Sequence, residues 1–110
     1  MSELPIDFNG LNTAVHGPVR LGVLTALHMD GPLDFTTLKK RLSVADGTLG
    51  LHLQKLEDIG YIRANTVLHG RRPKTTYQLT AAGRKAFGAY MDSMRRLLDA
   101  VEAQQKEDRK

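Results

Sequence analysis

The sequence predicts a mainly helical α+β domain, on three observations. Apolar residues recur at helical spacing through the first half of the chain, a segment rich in β-branched and aromatic residues follows, and the C-terminal third returns to a helical repeat. With 110 residues, 41% of them hydrophobic, there is material for one compact core and not for two, so a single domain over 1–110 is expected.

Asn9-Gly10 precedes a short helical pattern over 11–17, which Gly17-Pro18 breaks. Pro18 then opens a second helix at its favoured first position and sets Leu21, Leu24 and Leu27 on one face. Asp30-Gly31-Pro32 is a turn, and Leu33-Asp34-Phe35 suits a very short strand before Thr36 or Thr37 caps the next helix. In that helix Phe35, Leu38 and Leu42 follow one face while Lys39, Lys40 and Arg41 take the other.

Ser43-Val44-Ala45 connects tightly to a longer helix from Asp46 to Ile59, closed by Gly60 at C′. Its Leu49, Leu53 and Leu56 fall within about 60° of one another. From Tyr61 the pattern becomes that of a hairpin, 61–79, with His69-Gly70-Arg71-Arg72-Pro73-Lys74 as a basic tip. Thr80 caps a last helix over 80–105, in which Phe87, Met91, Met94, Leu98 and Val101 recur at alternating intervals of four and three. A frayed tail is expected over 103–110.

A short helix, a three-residue turn, a longer helix and a basic-tipped hairpin, in that order, make a winged helix-turn-helix: helix-turn-helix over 36–60, and a two- or three-stranded wing over 61–79. A generic helical bundle carrying a hairpin is the competing architecture. With the leucine face turned inward, the opposite side of the longer helix carries Gly47, Thr48, Gly50, Leu51, Gln54, Lys55 and Asp58. Gln54 has the geometry to pair with adenine, Lys55 to reach guanine or phosphate, and Thr48 stands near the helix start. Leu51 fits either a thymine methyl or core packing against another helix. Gly47 and Gly50 signal either close approach of the backbone to DNA or a loose helix start. His52, at the border of the leucine face, reads as a packed or capping histidine.

Arg71, Arg72 and Lys74 at the hairpin tip suit a narrow minor groove, where negative potential is concentrated; a solvated loop is the alternative. Lys39 and Lys40, with Arg41, fit phosphate contacts or a solvated helix face. The last helix, with Phe87, Tyr90, Met91, Met94, Leu97, Leu98 and Val101, has an apolar stripe wider than a terminal helix needs, and is read as a dimer interface joined by the 11–17 helix through Leu11 and Val15.

The net charge of +4 is compatible with a polyanionic partner but does not identify one. There is no cysteine, which removes disulfides and thiolate metal sites and suits a reducing cytosol. No secretory signal is visible, and the longest mainly apolar run, Leu21 to Met29, is far below the roughly 20 residues that span a bilayer, so a cytoplasmic protein is expected. Serine occurs only at 2, 43 and 93, no phosphate-binding glycine loop appears, and His16, His28, His52 and His69 are scattered, so no enzyme, metal site or cofactor is expected.

Pro18-Val19-Arg20-Leu21, Asp46-Gly47-Thr48-Leu49, His52-Leu53, Leu56-Glu57-Asp58-Ile59-Gly60-Tyr61-Ile62, Gly70-Arg71-Arg72-Pro73 and Leu79-Thr80-Ala81-Ala82-Gly83-Arg84 together resemble the small winged-helix transcriptional regulators related to the MarR and ArsR groups, over roughly residues 11 to 100. The resemblance implies a homodimer built from the first and last helices, operator binding through recognition helix and wing, and usually repression. Members often carry Ser or Thr where this chain has Ala45, and Ser where it has Gly50. That departure implies thin direct base readout, with more of the affinity resting on Arg71, Arg72 and Lys74. The cysteine-based metal sensing of some ArsR relatives does not carry over.

The expected function is a homodimeric repressor on a double-stranded operator. The alternative is a winged-helix module that docks a protein partner and has little DNA affinity. A small-molecule effector would have to sit beside the DNA-binding elements, since the length leaves no room for a separate sensor domain.

Overall fold

A computed structural model describes residues 12–108, in the order α1 (Pro18–Asp30), β1 (Leu33–Asp34), α2 (Phe35–Leu42), α3 (Asp46–Ile59), β2 (Ile62–His69), β3 (Arg72–Leu79) and α4 (Ala81–Asp108). Leu11 lies outside the described residues. The three strands form one antiparallel sheet in the order β1-β3-β2, so the wing has three strands. β2 and β3 pair from Ile62↔Leu79 out to His69↔Arg72, and β1 adds only Leu33↔Tyr77 and Asp34↔Thr76.

The core lies where α1, α2, α3, the base of the hairpin and the start of α4 meet. Val23, Leu24 and Leu27 of α1, Leu38 of α2, Leu49, Leu53 and Leu56 of α3, Ile62, Leu79, Phe87 and Tyr90 close it. The three leucines of α3 are each no more than 1% exposed. Burying each contributes about 2 kcal/mol, which fixes the rotation of α3 about its axis.

The chain reversals are set by local chemistry. Ser43 ends α2 in the left-handed region (φ 52°) and donates its N–H to Lys39 O at 2.9 Å, which makes the sharp turn between α2 and α3. Gly60 (φ 88°) closes α3: its N–H reaches Glu57 O at 2.9 Å, and the Tyr61 N–H reaches Leu56 O at 2.9 Å, a Schellman pair. Thr80 then caps α4 as expected, its Oγ1 accepting the Gly83 N–H at 3.0 Å and donating to Gly60 O. Its own N–H donates to Tyr61 O at 3.1 Å. α4 is pressed so closely on Tyr61 that a Cβ on Gly83 would stand 1.9 Å from the Tyr61 carbonyl oxygen.

Three local expectations are corrected. Within the segment read as a helix over 11–17, the described residues form one turn, Asn12 O accepting from the Val15 and His16 N–H groups at 3.0 and 2.7 Å. The Asn12 side chain accepts the Ala14 N–H at 2.8 Å, in competition with a helical ladder, and Gly17-Pro18 leaves no room for a second turn. Asp34, not Thr36 or Thr37, caps α2: β1 holds it extended, and its Oδ1 accepts the Thr37 N–H at 2.8 Å. The tail read as frayed from 103 stays helical to Asp108, through good helix formers and a Gln104–Asp108 hydrogen bond of 3.2 Å.

Candidate nucleic-acid interface

With the leucine face of α3 buried, its opposite face is open. Thr48, Leu51, Gln54, Lys55 and Asp58 are exposed, Leu51 to 56%, which places Leu51 on the surface and not in the core. Built Cβ atoms on Gly47 and Gly50 would meet nothing within 4 Å, so neither glycine is required by packing inside the protein. Gln54 is not idle: its Nε2 donates to Asp58 Oδ1 at 2.9 Å, which draws the amide toward the C-terminal end of the helix. His52 is half-buried against the core side, its Nδ1 buried without a hydrogen-bond partner. Burial, then the positive charges of Arg20 and Lys55, hold its pKa below the ordinary 6.5.

The positive charge lies beside α3 and not on it. α3 carries Lys55 against Asp46, Glu57 and Asp58, whereas α2 carries Lys39, Lys40 and Arg41 and no acid. The hairpin 62–79 carries Arg63, Arg71, Arg72 and Lys74, also with no acid. Its tip is a two-residue turn, Gly70-Arg71, with Gly70 at φ 65° and Arg71 at negative φ, the arrangement of a type II′ turn. Arg71 and Arg72 are exposed and make no ion pair among the described residues.

Some of these cations are already engaged. Lys39 Nζ lies 2.7 Å from Asp46 Oδ1, bridging α2 to the start of α3, and Lys74 Nζ lies 3.6 Å from Asp34 Oδ2. Arg41 pairs with Asp30 at the end of α1. Lys40 projects from α2 without such a partner among the described residues.

The sequence reading missed Arg63. Strand alternation puts it on the same sheet face as Lys74 and Arg72, since Arg63↔Gln78, Val67↔Lys74 and His69↔Arg72 are register pairs. With the Gln78 amide turned so that its oxygen meets the guanidinium, Arg63 Nε donates to it at 3.0 Å. A period-of-two count back along β2 from Val67, which pairs with Lys74 across the two-residue turn, would have found it.

The stripe read as a dimer interface divides in two. Val15, Phe87 and Tyr90 are buried in the protomer's own core, with His16 Nδ1 2.7 Å from the Tyr90 hydroxyl, so these three side chains are not free to face a partner. Further along α4, Met94 and Leu97 are half-exposed and Met91, Leu98 and Val101 exposed. No helix among the described residues is long and apolar enough to cross a membrane.

The family model for the winged helix DNA-binding domain matches residues 19–98, and the chain belongs to that family. It is 33% identical over 84 residues to an uncharacterized protein, MJ0432, of Methanocaldococcus jannaschii, covering 76% of this chain and 91% of that one. It is 31% identical over 88 residues to an uncharacterized HTH-type transcriptional regulator, MJ0229, of the same organism, covering 80% and 86%. Among solved structures it shares its fold with the transcriptional regulator homologue from Pyrococcus horikoshii OT3, at a TM-score of 0.78 and 24% identity over 84% of this chain and 93% of that one. The fold also matches part of Bacillus subtilis PadR in complex with operator DNA, at a TM-score of 0.58 and 22% identity over 64% and 44% of the two chains.

Proposed function

We propose that the protein is a sequence-specific DNA-binding transcriptional regulator, a homodimeric repressor without enzymatic activity. The observation that carries this reading is the placement of charge: the exposed face of α3 is flanked along the chain by α2, with three cations and no acid, and by a hairpin with four cations and no acid, of which Lys40, Arg71 and Arg72 have no ion-pair partner among the described residues. In a winged helix that arrangement lets α3 enter the major groove while Lys39, Lys40 and Lys55 meet phosphates and Arg71, Arg72 and Lys74 reach the minor groove. The uncovered part of α4, from Met91 to Val101, supplies the partner-facing surface. Two copies then meet half-sites about one helical turn, or a multiple of it, apart.

The test is binding of the purified protein to its own upstream DNA and to unrelated duplex across a salt series. The expected result is a preference for the upstream DNA, with log K falling about 0.9 per neutralised phosphate per decade of salt, and loss of binding in Arg71→Glu/Arg72→Glu. The net negative charge of α3 and its exposed leucine favour a second reading, a module that docks a protein. Absence of binding to any duplex at low salt would select it.

A further inference from the structure

Leu51 lies at the centre of the exposed α3 face, opposite the buried leucines, with Gly47 one turn before it and Gln54 and Lys55 one turn after. Helical side chains lean toward the N-terminus, so the leucine lies over the turn that begins at Gly47, which has no side chain of its own, with the short Thr48 side chain to one side. Gly50 leaves its flank bare as well. The nearest hydrogen-bonding amide, Gln54, is drawn away toward Asp58. The centre of the face, at Leu51, is therefore a low apolar surface with the Thr48 hydroxyl and the Lys55 ammonium at its edges, and the leucine itself offers nothing to the hydrogen-bonding edges of guanine, cytosine or adenine. The three carboxylates of α3 also oppose seating it on phosphates.

In the major groove one base-edge feature is apolar, the C5-methyl of thymine. Resting on the DNA-binding reading above, we infer that Leu51, with Gly47 and Gly50 clearing its surroundings, selects half-sites by packing on a thymine methyl. The specificity of α3 is thus apolar, while the flanking cations of α2 and the wing supply affinity that does not depend on sequence.

The experiment uses the full chain. Duplexes are selected from a random-sequence library, and each thymine of the selected half-site is then replaced singly by deoxyuridine, which deletes the methyl and keeps every hydrogen bond. The expected result is a loss of about fourfold in affinity at one thymine per half-site, the factor for one buried methyl, and under twofold at the others. Leu51→Ala, at an exposed helix position where Ala is well tolerated, should fold normally and bind thymine and deoxyuridine duplexes equally. Selected duplexes that bind equally well with deoxyuridine at every position overturn the inference and leave the DNA-binding reading standing, as does a thymine preference that survives Leu51→Ala. Failure to enrich any sequence overturns both.

Discussion

Asp34 Oδ2 faces Lys74 Nζ across 3.6 Å while Asp34 Oδ1 caps α2 through the Thr37 N–H, so one carboxylate joins the wing to the helix-turn-helix. The side-chain and backbone hydrogen bonds of Thr37, and then Lys74, hold its pKa below the ordinary 3.8, against some burial. A carboxyl whose folded pKa is depressed adds stability above its unfolded value, and that stability is lost as pH falls through the folded one. Asp34→Ala should cost about 1 kcal/mol in urea unfolding at neutral pH. Asp34→Asn retains a capping oxygen, so at neutral pH it should remain near wild type, because a surface pair contributes about 1 kcal/mol at most. Below about pH 4 it should lack the wild-type loss. An Asn variant as unstable as Ala would show that the ion pair and not the cap carries the stability.

His52 gives a second dependence on pH. Burial and the charges of Arg20 and Lys55 disfavour its imidazolium, so its folded pKa lies below its unfolded 6.5. The unfolded chain then binds the proton first, and stability falls as pH drops through 6.5 toward the folded value. His52→Gln should flatten this fall relative to wild type in melts taken between pH 8 and 5. An unchanged slope would assign the dependence to other histidines.

Two glycines should differ sharply on replacement by alanine. At Gly83 the added Cβ meets the Tyr61 carbonyl oxygen at 1.9 Å, an atom held by the Thr80 N–H and unable to yield, so a loss of about 3 kcal/mol is expected. At Gly22 the Cβ meets the end of Leu42 at 2.6 Å, a half-buried side chain that can turn, and the gain in helix propensity of about 1 kcal/mol offsets part of the clash. Gly22→Ala should stay within about 1 kcal/mol of wild type in chemical unfolding. Similar losses at the two positions would mean that α4 shifts to accept the methyl.

Most of this architecture was legible in the sequence because its signals are local. Leu49, Leu53 and Leu56 gave the buried face of α3, Gly60 gave its end and Thr80 the cap of α4, each from residues within a turn of one another. What escaped depends on contacts across the fold. Phe87 and Tyr90 share a helical repeat with Leu98 and Val101, and periodicity cannot say that the domain ends partway along the stripe. The engagement of Lys39 by Asp46 and Lys74 by Asp34 likewise follows from tertiary placement, so a charge count overstates the free cations.

That division of the stripe narrows the expected dimer contact. Leu98 and Val101, 52% and 55% exposed, lie outside the protomer's core. Leu98→Glu with Val101→Glu should leave subunit folding intact by circular dichroism and halve the mass measured by light scattering. A wild-type protein that is already monomeric at micromolar concentration would remove the homodimer from the proposed function.

Gly50 separates stability from function. It stands in the interior of α3, where glycine costs about 1 kcal/mol relative to alanine, and its built Cβ meets nothing within 4 Å. Packing within the protein gives no reason for it, so Gly50→Ala should raise stability by about that 1 kcal/mol. If α3 approaches base edges closely, the same methyl holds the helix off the groove, and affinity for a selected duplex should fall severalfold while the melting temperature rises. Opposite movement of the two quantities marks a glycine kept for close approach to DNA. A gain in both would instead mark a loose helix whose backbone stays clear of the bases, and would leave readout to side chains that reach further, Gln54 and Lys55.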